Sequence, residues 1–158
     1  MAARVWAPGI GAAALRDATG RIPLTAGCAP GSLPADMLVW ARNLVVAFVA
    51  LQHLGFLVLE MFLWNSPTGR KIFRTTPEFA AQSAPLAANQ GLYNGFLAAG
   101  LVWSLLAAEP MAGSLRLFFL TCVAVAAVFG AATVGRRILW VQGLPAAVAL
   151  LLDRIARG

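Results

Sequence analysis

Apolar residues fall into four long runs separated by short polar breaks. The first, Met37–Trp64, contains no proline and is built largely from Leu, Val, Phe and Ala. At about 1.5 Å per residue it is longer than the ~30 Å hydrocarbon core of a bilayer. Trp40 and Trp64 stand near its two ends, where interfacial aromatics belong. The second run is Leu86–Ala107 and the third Leu115–Val134. The fourth, Ile138–Leu152, is short and carries Pro145. Between the first two lies a polar connection, Asn65–Pro85. It opens on the turn chemistry of Asn65-Ser66-Pro67-Thr68-Gly69. Arg70, Lys71 and Arg74 follow, interleaved with Ile72, Phe73 and Phe79, the pattern of a short amphipathic segment on a membrane surface. Glu109–Gly113 and Gly135-Arg136-Arg137 are tight turns that make neighbouring runs antiparallel. The predicted architecture is all-α: an integral membrane four-helix bundle, up-down-up-down, with spans at about 37–64, 86–107, 115–134 and 138–152 of one domain covering 37–154.

Composition agrees. Of 158 residues 60% are hydrophobic and 11% charged, against roughly 25% charged in a soluble domain. The net charge of +6 is scattered over segment ends, as anchors at a membrane surface are; nucleic acid is not an expected partner, and the lipid bilayer is. His53 is the only histidine, and Cys28 and Cys122 are isolated, so neither a metal site nor a cofactor is expected. Residues 1–36 are rich in Ala, Gly, Pro and Arg and are broken by Pro8, Pro23, Pro30 and Pro34. They read as a disordered tail or an over-extended start ahead of Met37, with a regulatory or targeting tail as the remaining alternative. Arg70, Lys71, Arg74, Arg136 and Arg137 place the first and third loops on the cytoplasmic side of the cell (inner) membrane, with both termini outside. Gly91, Gly95 and Ala99, and likewise Ala126, Gly130 and Ala131, allow close helix approach and leave room for a homo-oligomer.

This topology gathers polar residues into one half of the membrane. His53 and Glu60 are seven apart on one face of the first helix. Asn89, Gln90 and Asn94 open the second, Thr133 ends the third, and Gln142 begins the fourth, all toward the first and third loops. The opposite half offers mainly Asn43, Ser104 and Thr121, with Gln52 near the middle. The expectation is a polar intramembrane pocket lined by Asn89, Gln90, Tyr93, Asn94, Thr133 and Gln142, with Tyr93 and Trp103 as walls. His53 and Glu60 are the candidate acid–base pair. Each has a plainer reading. Glu60 can pair with Arg70, Lys71 or Arg137, His53 can be a neutral ring bonded to an amide, and the amides can simply hold helices together.

Several stretches carry a resemblance. Gln52-His53-Leu54, Leu59-Glu60-Met61-Phe62-Leu63-Trp64, Gly69-Arg70-Lys71-Ile72-Phe73, Ala88–Leu101, Phe129-Gly130-Ala131-Ala132-Thr133 and Val141-Gln142-Gly143-Leu144-Pro145 are similar to the motifs of a family of small membrane proteins, domain of unknown function 1304. The resemblance covers about 37–151. Phe129 stands where the family has Tyr, and Gln52 where it has Glu, which removes a carboxylate beside His53. It implies a four-helix membrane protein and carries no established activity.

Three functions fit these residues. One is a protein that binds or transports a small lipophilic molecule in the pocket. The second is a small membrane enzyme using His53 and Glu60 on a lipophilic substrate. The third is a structural or partner-binding membrane protein. Polarity confined to one half argues against an open channel, which needs a polar path right through.

Overall fold

The structure, a computed structural model, describes residues 34–157. The expectation for the N-terminal segment falls outside the described residues up to residue 33. Helix α1 (Ala35–Met61) starts directly behind Pro34, so Asp36 belongs to its first turn and Trp64 lies beyond its end.

Two Ser/Thr-Pro pairs start the next two helices. Before α2 (Pro67–Phe73) the Ser66 hydroxyl accepts the Gly69 N–H at 3.0 Å, and before α3 (Pro77–Leu106) the Thr76 hydroxyl accepts the Phe79 N–H at 3.2 Å. In both, proline takes the first helical position, where its missing N–H costs nothing. The stretch that reads as turn chemistry is thus a helix start. α2 ends at Arg74, whose φ of 55° is left-handed, while the Thr75 N–H reaches back to the Arg70 carbonyl at 3.1 Å.

α3 begins at Pro77 and not at Leu86, and Pro85 lies inside it. A proline there removes one backbone bond. Side chains brace this turn: the Trp64 indole N–H donates to the Ser83 hydroxyl at 3.0 Å, which donates to the Phe79 carbonyl at 2.7 Å. α4 covers Met111–Thr133. The last apolar run is divided into a π-helical turn, Leu139–Gly143, and α5, Leu144–Ile155.

Among the described residues the protein is all-α, with five helices and no strand. α1 and α4 are long and apolar enough to cross a membrane. α1 packs most extensively on α3, and α5 packs on α1 and α4. The partners run in opposite directions. Along the α1–α3 seam Glu60 meets Asn94, and a Cβ on Gly95 would lie 2.6 Å from a Leu57 methyl carbon. A Cβ on Gly91 would lie 2.6 Å from Met61 Cγ and 3.1 Å from the Met61 nitrogen; glycine is what lets these backbones approach. The core joins Val46, Val49 and Ala50 of α1 to Leu101 of α3, Leu120 and Val123 of α4, and Ala146 and Ala149 of α5.

The π turn has a local cause. Leu144 N–H bonds five residues back to Leu139, and Pro145 has no N–H to offer the Val141 carbonyl four residues before it. Gln52 supplies the missing donor: its side-chain amide reaches the Val141 carbonyl at 2.7 Å, tying α1 to the turn.

Candidate functional site

Polar and charged side chains collect at two ends of the helix assembly. The first group stands near the end of α1 and the first loop. Asn94, on the buried face of α3 with Ala87, Gly91, Ala98 and Leu101, donates to Glu60 Oε2 at 2.7 Å. Glu60 is half-buried, and its other carboxylate oxygen takes no hydrogen bond among the described residues.

The remaining expected pocket residues do not join this pair. Asn89, Gln90 and Tyr93 are exposed. One residue turns a helix by about 100°, so Tyr93 leaves the face Asn94 occupies and Asn89 lies almost opposite. Gln90, four residues before Asn94, sits at the edge of that face, on the exposed side. Thr133 is exposed and donates to the Phe129 carbonyl of its own helix at 2.8 Å. Gln142 is half-buried and reaches the Val123 carbonyl of α4 at 3.4 Å. Trp103 is exposed on α3. Two shallow apolar depressions lie elsewhere, over Ala124, Val128 and Phe129 of α4 and over Leu139, Trp140 and Leu144.

His53 is fully buried. Its Nδ1 lies 2.9 Å from the Val49 carbonyl one turn back. Nδ1 therefore carries the proton toward that carbonyl. Nε2 is buried without a partner, as is Oε1 of Gln52. His53 and Glu60 share the inner face of α1, separated by about 10 Å along the axis.

The second group is larger, and it occupies the half that the polar pattern left nearly bare. Asp153 of α5 is 4% exposed. Arg116 of α4, 2% exposed, donates through Nε to Asp153 Oδ1 at 2.6 Å and pairs through Nη2 with Glu109 of the α3–α4 loop. Arg157 pairs with Asp153 Oδ2 and donates to the Gly113 carbonyl at 2.7 Å. Arg42 of α1 brings Nη1 to 3.6 Å from Asp153 Oδ1. Glu109 also accepts the Gly113 N–H at 2.9 Å, in the first turn of α4, where the helix dipole favours a carboxylate. The hydrogen bond from Arg116 holds the Glu109 carboxyl below the usual carboxylate range, helped by the Gly113 N–H. Ser104, expected to be one of the few polar groups here, bonds its own helix at the Leu101 carbonyl. The sequence signal for this cluster was the placement of Arg42, Arg116 and Asp153 inside or against apolar runs. Each reads equally well as an interfacial anchor, and only the packing of α1, α4 and α5 brings them together.

The fold and its two polar ends define a small helical protein with an apolar exterior and ionisable groups inside. The chain belongs to the family described as protein of unknown function (DUF1304), whose model matches residues 47–153. The match takes in Gln52, His53, Glu60, Asn94, Glu109, Arg116 and Asp153, and leaves out Arg42 and Arg157. The chain is also similar to an uncharacterized protein, YpaA, of Lactococcus lactis subsp. lactis (strain IL1403). The two are 30% identical over 105 residues, which is 65% of this chain and 87% of the relative. No solved structure matches it.

Proposed function

We propose that the chain is a multi-pass integral protein of the cell membrane that binds or carries a small lipophilic molecule at the Glu60–Asn94 seam. In this reading α1, α3, α4 and the π turn with α5 cross the bilayer up-down-up-down as a four-helix bundle. The inside-out distribution of side chains supports the membrane part. Trp40, Phe48, Phe96, Phe118, Phe129 and Trp140 are each more than half exposed, whereas Arg42, His53, Asn94, Arg116 and Asp153 are buried. An apolar girdle of that extent is costly in water and suited to lipid.

The observation that carries the binding part is the half-used Glu60 carboxylate. Asn94 fixes one oxygen, the other takes no hydrogen bond among the described residues, and the helices around the pair present an apolar exterior. A molecule with an apolar body and one hydroxyl or amine donor would satisfy both features. Acid–base chemistry through His53 gains no support from a ring that is fully buried.

Two measurements test the reading. Membranes containing the protein are washed with alkaline carbonate; the protein is expected to stay with the lipid, and its release would overturn the membrane assignment. Small molecules that co-purify in detergent are then compared by mass spectrometry between wild type and Glu60→Gln. A lipophilic species depleted in the folded variant is expected, and identical contents would overturn the binding site.

A further inference from the structure

The cluster around Asp153 is not electrically balanced. Three guanidinium groups, Arg42, Arg116 and Arg157, meet two carboxylates, Asp153 and Glu109. One positive charge is left over, and the geometry says which residue carries it. Arg116 spends its nitrogens on Asp153, Glu109 and the Ser104 carbonyl. Arg157 spends Nη2 on Asp153 and the Gly113 carbonyl. Arg42 makes one hydrogen bond, from Nε to Asn43 Oδ1 at 3.1 Å, and that partner is neutral. Its terminal nitrogens make none among the described residues, and the nearest carboxylate oxygen lies beyond hydrogen-bond range at 3.6 Å. Yet Arg42 is 92% buried, at 8% exposure. An arginine whose body is buried, with its outer fork unbonded among the described residues and no full counter-charge, is poised for an anion.

We propose that Arg42 binds a phosphate group at this end of the helix assembly, with Asn43 holding its Nε and Asp153 standing beside its Nη1. A phosphate suits the site because the planar fork of arginine matches two phosphate oxygens. Two sources share this chemistry: the headgroup of an anionic phospholipid and free inorganic phosphate. The lipid source rests on the membrane reading above, in which Arg42, about 10 Å along α1 from Ala35, comes near the depth of the headgroups.

The full chain is purified in detergent, and its melting temperature is followed during titration with phosphatidylglycerol, with phosphatidylcholine, and separately with sodium phosphate against sodium chloride of equal ionic strength. The same titrations are run on Arg42→Gln and on Arg154→Gln, the latter an exposed arginine near the same end. Phosphatidylglycerol is expected to bind wild type more tightly than phosphatidylcholine does. Arg42→Gln should reduce that preference roughly tenfold, the change carried by one charge-assisted hydrogen bond, and Arg154→Gln should keep it. A response to sodium phosphate alone, lost in Arg42→Gln, supports the site with free phosphate as its source. That arm still reads the site if carbonate washing releases the protein from membranes. Equal responses to all additives in wild type, or a preference undiminished in Arg42→Gln, would overturn the proposal. If Arg42→Gln fails to fold, Arg42→Lys keeps the charge without the fork and is expected to show an intermediate preference; a wild-type preference there overturns the fork.

Discussion

The two polar ends differ in kind. Near the first loop a single carboxylate meets a single amide, Glu60 with Asn94, across one seam between two helices. Around Asp153 five charged residues from α1, α4, α5, the α3–α4 loop and the C-terminal end interlock. One end economises on charge and leaves an oxygen open; the other concentrates charge around the buried Arg116 and Asp153, with Glu109 and Arg157 at its exposed margin. Burial makes the second arrangement interdependent. Removing one member of a buried ion pair leaves its partner charged and dry, which costs more than the pair itself contributes. Removing Asn94 from the Glu60–Asn94 pair leaves a half-buried carboxylate that is only partly withdrawn from the surface.

Three substitutions or conditions can break or sharpen this contrast. Asp153→Asn removes the carboxylate that faces Arg116, Arg157 and Arg42, and is expected to lower stability by about 3–5 kcal/mol, read as thermal unfolding in detergent. A loss as small as that of a surface substitution would mean that the cluster is solvated. Asn94→Leu takes the donor from Glu60 and is expected to cost about 1–3 kcal/mol by the same measurement. A cost equal to that of Asp153→Asn would erase the distinction between the ends. The smallest effect concerns acid. Glu109 has its folded-state pKa lowered by Arg116, so its contribution is complete above the ordinary carboxylate range and is lost as pH falls through the lowered value. Wild type should therefore lose stability on acidification more steeply than Glu109→Gln, and parallel profiles would show that Glu109 does not strengthen the cluster.

Much of this was legible in the amino-acid order, and the rest was hidden for definable reasons. The apolar runs of α1 and α4 are plain because they are long and uninterrupted. Glu60 and Asn94 fall in the same half of the bundle because both lie near the first loop, while their direct bond, in place of Glu60 with Arg70, Lys71 or Arg137, comes from the packing of α1 on α3. The start of α3 was obscured by Pro85, although Thr76-Pro77-Glu78 carries the cap, the first-turn proline and the first-turn acid of a helix start. Asn89 is close to Asn94 in sequence but helical phase turns it away, whereas Gln90, four residues before Asn94, keeps nearly the same face and is lost from the site only because it sits on the exposed edge of that face. The charged cluster was least visible. Arg116 and Asp153 are 37 residues apart, and charges near the ends of apolar runs look the same whether they turn toward water or toward one another.

The π turn has a consequence for the whole assembly. Its wider loop takes up about one residue more than an α-helical turn would, so it sets the angular phase of everything that follows. Winding Leu139–Gly143 as regular α-helix, with no residue removed, would swing α5 by about 100°. The apolar character of the helix would barely change, but Asp153 would no longer face Arg116 or Arg42. The alignment of charges at one end is thus timed by a surplus residue near the other, and Gln52, clasping the Val141 carbonyl, is the pin that holds the timing.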